Sequence, residues 1–343
     1  MNQVNRTKPI SRERARRGVR WFVACSLLGL VGIFGYTSFA DSLAYLHHLR
    51  PLYLIVALLL TLMDWLLGSA RIYAFSGALH PSLKFISCFR AAASNIFLGG
   101  VTPSQTGGGP AQIYVLYKEG MSFTTATVSS IMCFMATVVF LVVCALYLML
   151  FQPIPSIDPS LILLSRTTLV LFTMIILMFL LAILRPGVVE RLCYALLGRM
   201  PRVKQWMERK GWTTTLIRSI HEYRDIIAVY FTRVRPALLS GMVLTVVMYL
   251  NKFFIAYIVI RGLNASAPLG EVIFIQMILF LVFYFAPSPG ASGVAELTSG
   301  ILMGRLLPPH SQAAFVILWR SFTLYFGMLL GGIIFFRYLV RDE

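Results

Sequence analysis

The chain consists of long apolar runs separated by short polar segments. Runs of about 20 apolar residues have the length that spans the hydrocarbon core of a bilayer. Two pairs of shorter apolar runs, at about 83–100 with 108–118 and 268–286 with 291–305, are interrupted by Gly and Pro. The continuous runs predict membrane spans at about 21–39, 52–77, 122–151, 161–184, 237–261 and 311–336. This pattern predicts an all-α polytopic membrane protein.

Composition supports a bilayer as the surroundings of most side chains. Of the 343 residues, 58% are hydrophobic and only 13% are charged, about half the charged share of a soluble domain. A soluble protein of this length could not bury so much apolar surface in one core. We therefore expect residues 1–343 to form one membrane domain.

The distribution of basic residues argues against nucleic acid as a partner, although the formal net charge is +17. Lys and Arg concentrate in residues 1–20 and in the loop 185–235, as expected for segments that stay cytoplasmic. The apolar stretch from Trp21 has no clear signal-peptidase site, so we expect a retained first helix. We predict a multi-pass protein of the cytoplasmic (inner) membrane, with both termini and the loop in the cytoplasm.

The basic loop contains apolar residues at helical spacing, which predict an amphipathic helix. Such a helix can lie on the inner membrane surface or pack against its own bundle, and the sequence leaves both alternatives open. The residues of this stripe are Leu216, Ile220, Tyr223, Ile227 and Tyr230.

Two short segments of the chain resemble each other. They read TPSQTGGGPAQ at 102–112 and APSPGASGVAE at 286–296, so that matching the Pro-Ser pairs aligns Gln112 with Glu296. An Arg-Pro pair precedes each motif, with its Pro 52 and 51 residues before the motif Pro. The charge pattern places the first Arg-Pro pair outside and the second inside. We therefore predict inverted repeats at 50–151 and 235–336, each with a re-entrant broken-helix hairpin.

The interruptions predict an anion-binding cavity. Pro lacks an N–H and breaks a helix, and broken backbone at membrane depth must be buried in protein or line a wet cavity. The new helix N-termini attract anions, and Gly lets a ligand approach closely. The alternative is that Gly and Pro serve tight helix packing. The predicted cavity residues in and near the motifs are Asn95, Pro103, Ser104, Gly107, Gly108, Gly109, Gln112, Pro287, Ser288, Gly290, Gly293 and Glu296.

Ionisable side chains inside apolar runs point to the same cavity, because each costs roughly 2.5–3.5 kcal/mol at the bilayer centre on insertion scales. The alternatives are internal pairing, such as Asp64 with Lys252, or snorkelling of the side chain to the interface. Glu296 is predicted to lie early in a half-helix and to border the cavity with Arg320, either paired or sharing water. The further polar candidates are Asp64, Arg71, Arg90, Asn251, Lys252 and Arg320, of which Arg71 and Arg90 best fit snorkelling.

No enzyme motif competes with this interpretation. The sequence contains no H-E-x-x-H, G-x-S-x-G or P-loop motif, and its five Cys form no C-x-x-C pair. We expect no enzyme activity, no cofactor and no metal site.

The stretches SNIFLGGVTPSQTGGGPAQIYVLYKEGMS and FAPSPGASGVAEL resemble the two signatures of the flippase-like family, also called the lysylphosphatidylglycerol synthase transmembrane-region family. The resemblance covers nearly the whole chain. It implies inverted repeats with two re-entrant hairpins, and lipid translocation or handling. Many members carry Arg where this chain has Gln112, and many carry an acid in the next helix, where Ser129–Phe134 has none. These departures leave room for a substrate that differs from that of the best-known members. The chain ends at Glu343 without the soluble aminoacyl-transfer domain, so we expect no lysylphosphatidylglycerol synthesis by this chain alone.

Three functions follow as hypotheses. The leading one is a lipid flippase or scramblase that moves or binds an anionic phospholipid or lipid-linked intermediate. The second is a membrane-embedded enzyme acting on a polyprenyl phosphate or a lipid-linked sugar. The third is a non-catalytic partner subunit of lipid-modifying enzymes. Membrane lipids are the expected partners. The sequence also allows a homo-oligomer or a complex with a lipid-modifying enzyme.

Overall fold

The computed structural model describes residues 49–151, 159–185 and 212–340, with isolated positions between 20 and 199. The predicted first span at 21–39 and most of the loop at 185–211 lie outside the described residues. Every regular element in the described part is helical, which confirms the predicted all-α class. The elements are α1 (Pro51–Leu79), α2 (Phe85–Val101), α3 (Gly108–Lys118), α4 (Phe123–Phe151), α5 (Pro159–Leu184), α6 (Trp212–Thr232), α7 (Arg235–Gly262), α8 (Leu269–Phe285), α9 (Val294–Met303), α10 (Pro309–Arg320), a π-helical turn (Ser321–Tyr325) and α11 (Phe326–Val340).

Four helical segments in the described part are long and apolar enough to cross a membrane. They are Pro51–Leu79, Phe123–Phe151, Arg235–Gly262 and Pro309–Tyr338. Large apolar side chains on these helices point outward, and Leu150, for example, is 75% exposed. Such exposure is unfavourable in water and favourable in lipid. The helices therefore confirm a multi-pass membrane protein, whereas the inverted repeats and re-entrant hairpins stay predictions.

The chain divides into two compact units. The first comprises the described parts of Met1–Trp65, Ala92–Gln112 and Leu250–Glu343, and the second comprises those of Leu66–Ala91 and Ile113–Tyr249. Both broken segments belong to the first unit.

The core of the first unit depends on close approach between α2 and α11. A side chain at Gly331 would collide with the carbonyl of Ala93, and one at Gly100 would collide with Met328. Glycine at these positions therefore lets the two helices pack at short distance. The buried apolar side chains of this core are Phe97, Leu98, Val101, Ala111, Met328 and Phe335.

In the second unit, α6 packs against α4 and α5. The Tyr230 hydroxyl donates to the Phe75 carbonyl at 2.7 Å, and burial raises the pKa of the Tyr230 phenol. Ile227 is also buried, so the C-terminal part of the amphipathic stripe packs on protein. The side chains of Leu216 and Ile220 lie outside the described residues.

The last span, predicted at about 311–336, is found at Pro309–Tyr338 and contains a distortion that the sequence did not predict. A π-helical turn, Ser321–Tyr325, separates α10 from α11. Such a turn inserts an extra residue into the helical ladder. The hydroxyl of Thr61 in α1 shares its one proton between the Ala57 carbonyl at 2.9 Å and the Phe322 carbonyl at 3.1 Å. A carbonyl in the distorted turn therefore has a side-chain partner.

Candidate functional site

The two broken segments meet within the first unit. Between α2 and α3 the first segment passes through Pro103, and between α8 and α9 the second passes through Pro289. These two prolines form an isolated antiparallel bridge, and the Ser104 hydroxyl donates to the Ala286 carbonyl at 3.4 Å. The structure therefore brings the two sequence motifs together. That they border a shared cavity stays a prediction.

Both segments adopt the same turn. Two consecutive residues with left-handed φ follow each bridged proline, Ser104 (49°) and Gln105 (56°) in the first segment and Gly290 (56°) and Ala291 (58°) in the second. Non-glycine residues rarely adopt this conformation, so the match is informative. The matching backbone hydrogen bonds, donor first, are Gln105–Thr102 and Thr106–Pro103 in the first segment and Ala291–Ser288 and Ser292–Pro289 in the second.

The shared turn overturns the alignment predicted from the Pro-Ser pairs. The structural counterpart of Pro103 is Pro289, two residues beyond Pro287, so Gln112 does not occupy the place of Glu296. In the predicted alignment Pro289 would stand at the position of Gln105, which has positive φ. Proline cannot adopt that angle, because its ring fixes φ near −65°. The turn in the second segment must therefore begin after Pro289.

A charged network closes the second broken segment. Glu296 is the third residue of α9, and its Oε2 accepts the backbone N–H of Gly293 at 2.6 Å. Its Oε1 accepts the Arg320 Nε–H at 3.0 Å and the Tyr325 hydroxyl at 3.0 Å. The Nη2 group of Arg320 donates to the Gly290 carbonyl at 2.9 Å. Of the two arrangements predicted for Glu296 and Arg320, the structure shows direct pairing, and the predicted early position of Glu296 in its helix is confirmed. That the two residues border a cavity stays a prediction.

This network lies away from water, with Glu296 0% and Arg320 4% exposed. The partial positive charge at the N-terminus of α9 and the guanidinium both stabilise the carboxylate. The site predicted at the N-terminus of α9 for an external anion therefore holds an anion of the protein itself.

Sequence reasoning missed Tyr325. It follows Arg320 by five residues, a spacing that an α-helix places on a different face. The π-helical turn has i→i+5 hydrogen bonds and brings the ring close, so the guanidinium carbon lies 5.7 Å from the ring centroid. No motif in the sequence signals this turn.

The first broken segment carries a neutral pair instead. The Asn95 side-chain amide donates to the Gln112 Oε1 at 2.9 Å, and Gln112 is buried. A Cβ at Gly108, where α3 begins, would lie 2.7 Å from the Asn95 Oδ1 and 3.0 Å from the Asn95 carbonyl oxygen, so a larger residue there would have to displace the Asn95 side chain. At Gly109, by contrast, a Cβ would have nothing within 4 Å. The start of α3 is therefore open on this side.

The family model for the lysylphosphatidylglycerol synthase TM region matches residues 21–331. The chain belongs to this family. Its resemblance to a membrane protein of Archaeoglobus fulgidus, named UPF0104 membrane protein, extends over 307 residues at 23% identity, which is 88% of this chain and 91% of the relative. The family resemblance predicted from the two motifs is confirmed. The family name refers to the membrane region of a phospholipid synthase, and both broken segments lie within the matched residues.

A second ion pair lies within the first unit. Lys252 Nζ donates to the Asp64 Oδ2 at 2.5 Å. The neighbouring Asn251 amide donates to the Leu60 carbonyl at 3.0 Å. Internal pairing, the alternative considered for Asp64 and Lys252, is therefore confirmed.

Two further candidates have partners within the second unit. Arg71 donates to the Thr137 hydroxyl at 3.0 Å, and Arg90 pairs with Glu119 at 3.0 Å. Glu119 also accepts the Ser87 hydroxyl at 2.6 Å. Sequence reasoning missed Glu119, which directly follows α3. The contacts of Arg71 and Arg90 are internal, unlike those of side chains that snorkel freely.

Proposed function

We propose that this protein moves an anionic lipid between the two leaflets of the cytoplasmic membrane, as a flippase or scramblase that leaves the lipid chemically unchanged. The observation that carries the proposal is the buried Arg320 guanidinium at a helix break, held by the Glu296 carboxylate and the Gly290 carbonyl. Both termini and the loop 185–235 face the cytoplasm in this proposal.

The energetic problem in lipid movement is the head group. An ionised phosphate in hydrocarbon would cost tens of kcal/mol by a Born estimate, unless it is paired and hydrogen-bonded. A guanidinium suits this role, because its planar fork of N–H groups matches two oxygens of a phosphate or carboxylate. Arg320 already directs this fork at Glu296 and Gly290.

Glu296 acts in this proposal as a resting substitute for the head group. While the site is empty, its carboxylate neutralises Arg320. An arriving phosphate competes for the guanidinium, and Glu296 keeps its bond from the Gly293 N–H. The exchange avoids an uncompensated Arg320 charge at any step, a state that would be costly in the membrane.

The test is lipid movement in liposomes that contain the purified protein and fluorescent phosphatidylglycerol, with a quencher added outside. Arg320→Gln and Glu296→Gln are each expected to slow movement at least about tenfold, the equivalent of losing about 1.4 kcal/mol of stabilisation. Arg233→Gln, at an exposed position after α6, is the matched control and is expected to keep the wild-type rate.

A folded double variant, Glu296→Gln with Arg320→Gln, separates function from stability. It removes both charges and so leaves neither one buried alone, and it is expected to fold but not to move lipid. Wild-type movement in the folded double variant would remove the pair from the mechanism. Conversion of the lipid by wild-type protein, detected by chromatography, would favour a membrane-embedded enzyme instead. Movement that requires another protein would favour a partner subunit.

A further inference from the structure

We infer that Asp64 and Lys252 form a proton-binding site that couples lipid movement to a proton gradient, an inference that rests on the proposed function. Both residues lie near the middle of their helices, α1 and α7. Each helix is long and apolar enough to span the membrane. The Asp64 side chain is 9% exposed and the Lys252 side chain 18% exposed. An ionisable pair at this position is costly to keep for packing alone.

The pair is asymmetric in its hydrogen bonds. Lys252 Nζ donates to Oδ2 of Asp64. The other carboxylate oxygen, Oδ1, is buried and has no hydrogen-bond partner among the described residues. Lys252 occupies Oδ2, so Oδ1 is the oxygen of Asp64 that is open to a proton.

Proton binding at Oδ1 changes the charge of the site. An O–H bond forms with a proton supplied by hydronium, the carboxylate becomes neutral, and the Lys252 ammonium loses its counter-charge. A lone ammonium inside a span is unfavourable, and an anionic head group near it restores neutrality. Proton uptake and anion binding therefore favour each other, and this coupling is reciprocal. A singly charged lipid and one proton cross together without net charge.

The hydrogen bonds between α1 and its neighbours in the first unit bring one charged group to Asp64. From α7 the charged neighbour is Lys252, while Asn251 is neutral and donates to a backbone carbonyl. From the π-helical turn the contact is the Phe322 carbonyl, which accepts from Thr61. Lys252 is thus the charged group that these contacts bring to Asp64.

The same contact links the pair to the head-group site. Thr61 lies about one turn before Asp64 in α1, and Phe322 follows Arg320 by two residues. A shift of α1 when the Asp64–Lys252 pair opens would therefore act directly on the turn that carries Tyr325. That turn is a distorted helical segment, a kind of element frequently found at functional sites.

The experiment measures the final distribution of fluorescent phosphatidylglycerol between leaflets, which does not depend on the rate of movement. With one proton per lipid, a gradient of one pH unit is expected to enrich the leaflet on the alkaline side by up to about tenfold. Asp64→Asn is expected to give equal leaflets at any gradient. Asp225→Asn, the same substitution on the exposed face of α6, is expected to keep the wild-type ratio.

The outcomes separate the inference from the proposed function. If the wild-type protein moves lipid but leaves equal amounts in the two leaflets, coupling is overturned and the proposed function stays intact. A wild-type ratio of lipid between the leaflets in Asp64→Asn would have the same meaning. If a variant or the wild type moves no lipid, proton uptake tests the site instead. It is measured with a pH dye after the protein is mixed with phosphatidylglycerol micelles in weak buffer. Wild type and Asp225→Asn are expected to take up protons and Asp64→Asn is not. Equal uptake by all three would overturn the site.

Discussion

The first broken segment, 102–108, and the second, 288–294, form the same backbone turn in very different surroundings. In the first, Pro103 and Ser104 are exposed, and the nearby side-chain pair is neutral. In the second, Gly290 and Ala291 are buried, and the helix that follows begins with a carboxylate bound to a guanidinium. The segments differ in what surrounds the turn and in the charges beside it.

This difference separates two roles of the motif. Proline, small residues and left-handed backbone produce a turn that ends one helix and starts another, and both segments have it. Charge is then added by a residue outside the shared turn, Glu296 at the third position of α9, whose structural counterpart in α3 is Pro110. One helix N-terminus therefore carries its own anion, whereas the other has a neutral start with open space beside Gly109.

The sharpest test of the comparison is whether the two turns meet at equivalent residues. Bridged residues of an antiparallel pair have Cα atoms about 4.5–5.5 Å apart, which is within the range of a disulfide. The double variant Pro103→Cys with Pro289→Cys is therefore expected to form an intramolecular disulfide on oxidation, detected by mass spectrometry of the linked peptides.

The control for this disulfide is Pro103→Cys with Pro287→Cys, the pair that the Pro-Ser alignment would match. It is expected to cross-link far less. Each single variant is oxidised as well, to reveal disulfides with the native cysteines. More efficient cross-linking in the control pair would contradict the bridge between Pro103 and Pro289.

Much of the helical pattern could be predicted from apolar runs, because membrane-length helices leave a strong signal. The predicted run 108–118 coincides with α3, and the predicted run 122–151 differs from α4 by one residue. The break between α10 and α11 could not be predicted. Its cause is a change in local hydrogen bonding within one apolar run, which hydropathy does not register.

The candidate site could be predicted at charged residues inside apolar spans, because burying a charge there has a high free-energy cost. Burial cost singled out Glu296 and Arg320, and the structure pairs them. The burial cost of charge did not identify Tyr325, because a tyrosine in an apolar span has no such cost. The position of Tyr325 beside Arg320 depends on the π-helical turn. The alignment of the two motifs failed for a reason already present in the sequence, since Pro289 cannot adopt positive φ.

The largest expected energetic effect is in the second segment. Glu296→Gln leaves Arg320 buried with the Gly290 carbonyl but without a carboxylate, and is expected to lower the free energy of unfolding by about 3–5 kcal/mol. Arg320→Gln is expected to cost less, because Glu296 keeps the Gly293 N–H and the Tyr325 hydroxyl. Unfolding in detergent by a denaturing surfactant measures both.

The double variant completes this cycle. If the two side chains interact, Glu296→Gln with Arg320→Gln is less destabilising than the sum of the single variants. The exposed pair of Arg224 and Asp225, 3.9 Å apart, serves as control, and Asp225→Asn is expected to have no measurable effect. If the losses in the free energy of unfolding at Glu296 and Arg320 are additive, the two side chains do not interact.

The glycines test the smaller, steric side of the comparison. A Cβ at Gly107 would lie 2.8 Å from the Leu98 carbonyl oxygen and 2.7 Å from the Thr102 methyl. Since the carbonyl belongs to α2 backbone, the strain is hard to relieve, and Gly107→Ala is expected to cost about 1–3 kcal/mol. Gly109→Ala meets nothing within 4 Å and is expected to change stability by less than about 0.5 kcal/mol.

The corresponding glycine of the second segment, Gly293, is constrained for a different reason. Its φ is 83° and its ψ −58°, the region of a classic γ-turn, which is strained for a residue with a side chain, so Gly293→Ala is expected to lower the free energy of unfolding by about 1–3 kcal/mol through the backbone. Gly293→Asn is expected to cost about as much as Gly293→Ala, since asparagine favours positive φ mostly in the left-handed helical region. Gly107→Asn should instead lose more than Gly107→Ala, because lack of space is the constraint there. A markedly larger loss for Asn than for Ala at both positions would show that lack of space governs both segments.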